Sequence, residues 1–115
     1  MPKHGPRTIA EAEVARREHQ PPPACWLCAR PLGRRTEWHH PVPKARGGRQ
    51  TVPVHPICHR TLHATFTNAE LARIGDDPPR LRSDARIARF VAWVADKPAD
   101  FHAATRQSQA LRLRD

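Results

Sequence analysis

The 115-residue chain carries a formal charge of +9, 38% hydrophobic residues, thirteen prolines, and only three tryptophans and three phenylalanines. That is one domain's worth of chain with a small core and much irregular backbone, which excludes long buried sheets and leaves a structural metal as the natural staple. The pI near 11.2 points to a polyanionic partner. With no apolar run long enough to span a bilayer and no basic amphipathic helix with a bulky apolar face, nucleic acid is expected and membrane is not.

The first residues, Met1 to Pro6, hold no apolar signal core, so a reducing cytoplasmic location is expected. In that setting three cysteines, two of them in Cys25-x-x-Cys28, read as metal ligands rather than disulfides. Thr8 and Glu11 form a capping box that can open a helix to about His19, before Gln20 and three prolines stop it. The segment 1–24 is thus either helical or a disordered basic leader.

From Cys25 the chain reads as a zinc knuckle turned by Pro31-Leu-Gly33, a short strand over Thr36–His40, and a turn over Lys44–Gly48 in which the glycines supply positive φ. Thr51–Val54 is the return strand, its proline at a position that needs no donor. Pro56 starts a helix bearing Cys58, His59 and His63. Thr67 and Asn68 cap a segment that ends at Gly75, and Asp76–Pro79 is expected as a loop. Ser83 is expected to cap a last helix, with Ile87, Phe90, Val91 and Val94 on one face. Phe101 should fold back on the domain, and Arg106, Arg112 and Arg114 lie in a basic tail.

Consecutive residues on a helix diverge by about 100°, so Cys58 and His59 belong to different sites. Cys25, Cys28, His55 and Cys58 make a Cys₃His tetrahedron for structural Zn²⁺, which accounts for the odd cysteine. His59 and His63, at i and i+4, share a face and need a partner from the His39-His40 pair, whose rings point to opposite sides of a strand. One of those two can bind metal while the other takes a proton. The spacing of residues 55, 59 and 63 also permits a three-histidine stripe, which Pro56 disfavours because it sets His55 outside the helix.

The run Glu37-Trp-His-His-Pro-Val-Pro-Lys-Ala-Arg-Gly-Gly48, followed by His55-Pro-Ile-Cys-His-Arg-Thr-Leu-His63, resembles the HNH endonuclease family in its zinc-knuckle, His-His form. The resemblance covers residues 25–66. It implies a small α+β fold, a ββα-metal (His-Me finger) core with structural zinc knuckles, followed by a C-terminal helical extension over 67–101 and a basic tail over 102–115. It also implies a metal-dependent endonuclease cutting DNA, double-stranded in the first instance. His40 would be the general base, and His39, His59 and His63 the ligands of one divalent ion (Mg²⁺, Mn²⁺, Ni²⁺ or Zn²⁺). Lys44, Arg46 and Arg49 would grip phosphates. His55 replaces a usual cysteine, and the family's base-orienting asparagine has no plain counterpart. Gln50 or Thr51 falls in its stretch, with His55 as a further candidate if it does not bind zinc. Sequence specificity would come from a partner protein or the flanking segments. The alternative is a zinc-stabilised DNA-binding module without catalysis.

Overall fold

The computed structural model describes residues 23–105. The capping box at Thr8, the helix expected to His19 and the tail arginines 106, 112 and 114 lie outside the described residues. Within them the chain is a small α+β unit with a two-stranded antiparallel sheet and four helices. No helix is long and apolar enough to cross a membrane among the described residues.

The strands are β1 (Glu37–His39) and β2 (Val52–Val54), paired Glu37 to Val54, Trp38 to Pro53 and His39 to Val52. Alternation puts His39, Val52 and Val54 inward, all buried, and leaves Trp38 61% exposed on the outer face. In a strand, one residue's N and carbonyl point the same way. The Pro53 carbonyl accepts from the Trp26 N–H at 2.9 Å, so its missing donor also lies away from β1 and no ladder bond is lost.

Within the connection between the strands, the turn expected over Lys44–Gly48 is a single 3₁₀ turn over Lys44–Arg46 closed by Gly47 at φ 88°. Only Gly47 uses positive φ there. Gly48 is needed for a different reason, because a Cβ on it would fall 1.6 Å from the Val42 carbonyl oxygen.

Helix α1 (Pro56–Thr65) follows β2 directly. His55 is its extended N-cap residue and Pro56 fills the first position, where no donor is missed. Ile57, Cys58 and Leu62 form its buried face. They join Leu27, Val54, Phe66, Leu71, Leu81 and Ile87 in the core. Helix α2 (Asn68–Ile74) carries a full capping box between Thr67 and Glu70 and stops at Gly75, φ 68°.

Two expectations fail in the next stretch. The proposed loop at 76–79 is the start of helix α3 (Pro78–Ser83), capped by the Asp77 carboxylate accepting from the Arg80 N–H. Paired prolines suit a first turn whose N–H groups have no helical partner. Ser83 is therefore the end of α3 and not a cap, its hydroxyl bonded to the Arg80 carbonyl at 2.6 Å. Asp84 caps α4 (Ala85–Val94), accepting from the N–H groups of Arg86 and Ile87. On α4, Ile87 and Val94 are buried, while Phe90 and Val91 are half-buried against the core.

Beyond α4 the chain doubles back. Arg30 Nη1 donates to the carbonyls of Lys97 and Pro98, both at 2.8 Å, and the Arg34 N–H donates to Asp100 Oδ1 at 2.8 Å. Phe101 thereby packs on the core and edge-on against Trp93, ring centroids 5.4 Å apart, as expected.

Candidate functional site

Two clusters of ligand-bearing side chains flank α1. In the first, one ligand atom from each of Cys25, Cys28, His55 and Cys58 lies within 4.8 Å of all the others. The knuckle is shaped by Cys25 N–H to the Arg30 carbonyl and Ala29 N–H to the Cys25 carbonyl, both 2.9 Å, with Ala29 at φ 66° to close the turn. His55 is fully buried, and its Nε2 sits 2.8 Å from the Pro31 carbonyl. A carbonyl only accepts, so Nε2 carries the proton and the lone pair is on Nδ1. That Nδ1 faces Cys28 Sγ at 3.4 Å and Cys58 Sγ at 3.8 Å. The edge of a zinc tetrahedron with Zn–S of about 2.3 Å is about 3.7 Å, so the set fits zinc.

Electrostatics point the same way. Hydrogen bonds from the Cys25 and then the Cys58 thiol hold Cys28 far below the usual thiol range. Cys25 is pushed up, first by its contact with Cys28, and Cys58 is pushed up by its contacts with Cys25 and Cys28 and by burial. Thiols this close raise the cost of ionising one another, a cost that a bound cation would relieve. None of the three is in a disulfide.

The second cluster joins His39 of β1 to His59 and His63 of α1, again within 4.8 Å. The rings meet edge to face, with centroids 5.2 Å apart for His39–His59 and His39–His63 and 4.9 Å for His59–His63. Both ring nitrogens of His39 are buried without a hydrogen-bond partner, an arrangement costing about 1–3 kcal/mol when nothing binds them. Burial, then the neighbouring imidazoles of His63, His59 and His40, pushes His39 down to about 3. His63 is lowered by burial and by His59. Rings that resist protonation keep their lone pairs for a metal.

Glu37 completes this cluster, and the sequence reading gave it no role. Its Oε1 accepts from His59 Nδ1 at 2.9 Å, fixing the tautomer that turns Nε2 outward as metal-binding histidines require. The signal was available, since Glu37 and His39 are two apart on a strand and share a face. Three protein ligands would leave a fourth position of a tetrahedral ion without a protein donor, unlike the four-ligand thiol-rich set.

His40 follows β1 immediately, half-buried and without a hydrogen bond among the described residues. Lys44, Arg46 and Arg49 are exposed around the 3₁₀ turn. Gln50 and Thr51, the expected orienting candidates, do not hydrogen-bond His40. The Gln50 amide donates to Asp76 Oδ2 at 2.9 Å, and Asp76 Oδ1 accepts from Trp26 Nε1 at 2.8 Å. This bridge ties the interstrand connection to the knuckle, and it lowers the Asp76 carboxyl through the Trp26 and Gln50 bonds. His55 is likewise committed to the thiols, and no three-histidine stripe forms with His59 and His63.

Among known proteins, the chain is similar to one from Bacillus subtilis (strain 168), "Uncharacterized protein YisB", at 40% identity over 86 residues, which covers 73% of this chain and 85% of that protein. No family model matches the chain, and no solved structure matches it.

Proposed function

The chain belongs to the family of Bacillus subtilis YisB, and for it we propose a metal-dependent endonuclease of the HNH type that hydrolyses DNA phosphodiester bonds on a ββα-metal core. The observation that carries this reading is His39. A buried imidazole with two unpartnered nitrogens, facing His59 and His63 and followed in sequence by His40, whose ring makes no hydrogen bond among the described residues, is better suited to holding an ion than to packing.

The division of labour follows from the residues. His39, His59 and His63 would hold the divalent ion, with Glu37 orienting His59. Bound there, the ion supplies Lewis-acid stabilisation of charge on the phosphate and the leaving 3′ oxygen. A ring nitrogen of His40 accepts the proton of the attacking water as its oxygen bonds phosphorus and the P–O3′ bond breaks; the departing 3′ oxygen takes a proton from solvent water, leaving a 5′ phosphate and a 3′ hydroxyl. Cys25, Cys28, His55 and Cys58 would hold a structural zinc at the start of α1.

Supercoiled plasmid incubated with EDTA, or with Mg²⁺, Mn²⁺ or Ni²⁺, tests the reading. Nicking should appear with at least one of these metals and fall by about 10²-fold or more in His40→Ala. Retardation of DNA on a gel with no nicking under any metal would instead establish a zinc-stabilised DNA-binding module. One observation favours that second reading, the engagement of Gln50 by Asp76, which leaves His40 without the expected orienting partner.

A further inference from the structure

On the flank of β1 and the first turn of α1 lies a cavity of about 340 Å³ whose rim carries Arg34, Arg35 and Arg60. Its floor is the returning segment, Ala99 to His102, held there by Arg30 and by the bond from the Arg34 N–H to Asp100. Gly33 makes that approach feasible, because a Cβ on it would lie 2.2 Å from Asp100 Oδ1. None of the three rim arginines forms an ion pair among the described residues. The two carboxylates in the wall have other partners, Glu37 on His59 and Asp100 on the Arg34 N–H. Three guanidiniums against the carboxylates of Glu37 and Asp100 leave the lining with a net positive charge, and the cavity shares Glu37 with the histidine cluster.

We propose that this cavity seats one unpaired nucleotide of the DNA strand next to the phosphate under attack. The rim guanidiniums would bind its phosphate, and its base would lie against Phe101 and His102. The volume sits at the low end of about 300–1,000 Å³ for small-ligand sites, suited to a single nucleotide and too small for a base pair in its stack. The preferred substrate class is then DNA with a frayed, flapped or single-stranded nucleotide beside the cut. This rests on the nuclease reading for its orientation, while the binding step itself needs no catalytic metal.

Equilibrium binding by fluorescence anisotropy, on zinc-loaded full-length protein without added divalent metal, separates the two ideas. A blunt duplex is compared with the same duplex bearing a short single-stranded overhang. The wild type should bind the overhang about tenfold more tightly or better. Arg60→Ala, and separately the pair Arg34→Ala with Arg35→Ala, should erase that preference. The charge-matched controls on exposed positions of α4 and α2, Arg89→Ala and the pair Arg73→Ala with Arg89→Ala, should keep it. Equal affinity of the wild type for both duplexes, or a preference that survives both sets of rim substitutions, overturns the proposal. Plasmid nicking is read independently, so either idea can fall while the other stands.

Discussion

Glu37 and His39 are the residues on which the histidine cluster turns. Replacing Glu37 with Ala removes the acceptor that fixes the His59 tautomer, and metal affinity at that cluster should drop by about 10–100-fold, with the thiol-rich site still loaded. Isothermal titration with Mn²⁺ or Ni²⁺ reads the affinity, and the zinc content of the dialysed protein reads the loading of the thiol-rich site. His39 carries a pH signature. Its folded pKa, pushed down to about 3, lies below the unfolded value of about 6.5, so the folded state binds fewer protons. Its contribution is complete above pH 6.5 and is lost progressively as pH falls from there towards 3. In His39→Phe, with the histidine cluster unloaded, the urea midpoint should therefore change less between about pH 7 and pH 5.5 than in the wild type. A parallel decline in both would show that His39 stays accessible to protons in the fold.

At the level of elements, helix caps separate what the sequence made legible from what it concealed. Thr67 and Gly75 announce α2 from both ends, and Pro56 announces α1, because each residue acts through local backbone geometry. The α3–α4 boundary was concealed for the same reason. Ser83 and Asp84 are both good caps, and only the packing of Leu81 and Ile87 into one core decides which ends one helix and which begins the next. Asp84→Ala should accordingly cost about 1 kcal/mol in thermal or urea unfolding, and Ser83→Ala about 0.5 kcal/mol or less. The ligand division was legible because Cys58 and His59 are neighbours on a helix. The arginine cavity was not, since its parts lie on separate elements and meet only after folding, and the alternation that put Glu37 on the face of His39 did not name His59 as its partner.

For the whole molecule, stability rests on a core of few large side chains with cysteines inside it, so loss of zinc from the Cys₃His cluster should remove a large share of the folding free energy. Metal counting after dialysis should find one ion retained per chain and a second, weaker one lost, and a strong chelator should lower the melting temperature sharply. No retained ion, with an unchanged melting temperature, would exclude a structural role for that cluster. Cys58 and His59 stand side by side on α1 and face the two clusters in turn. One helix turn thus carries a ligand candidate of each cluster, so emptying the thiol site should disturb the set of the imidazoles on the other side. A chelator that strips both sites should consequently abolish the proposed nicking, with Mg²⁺ alone failing to restore it and zinc followed by Mg²⁺ succeeding.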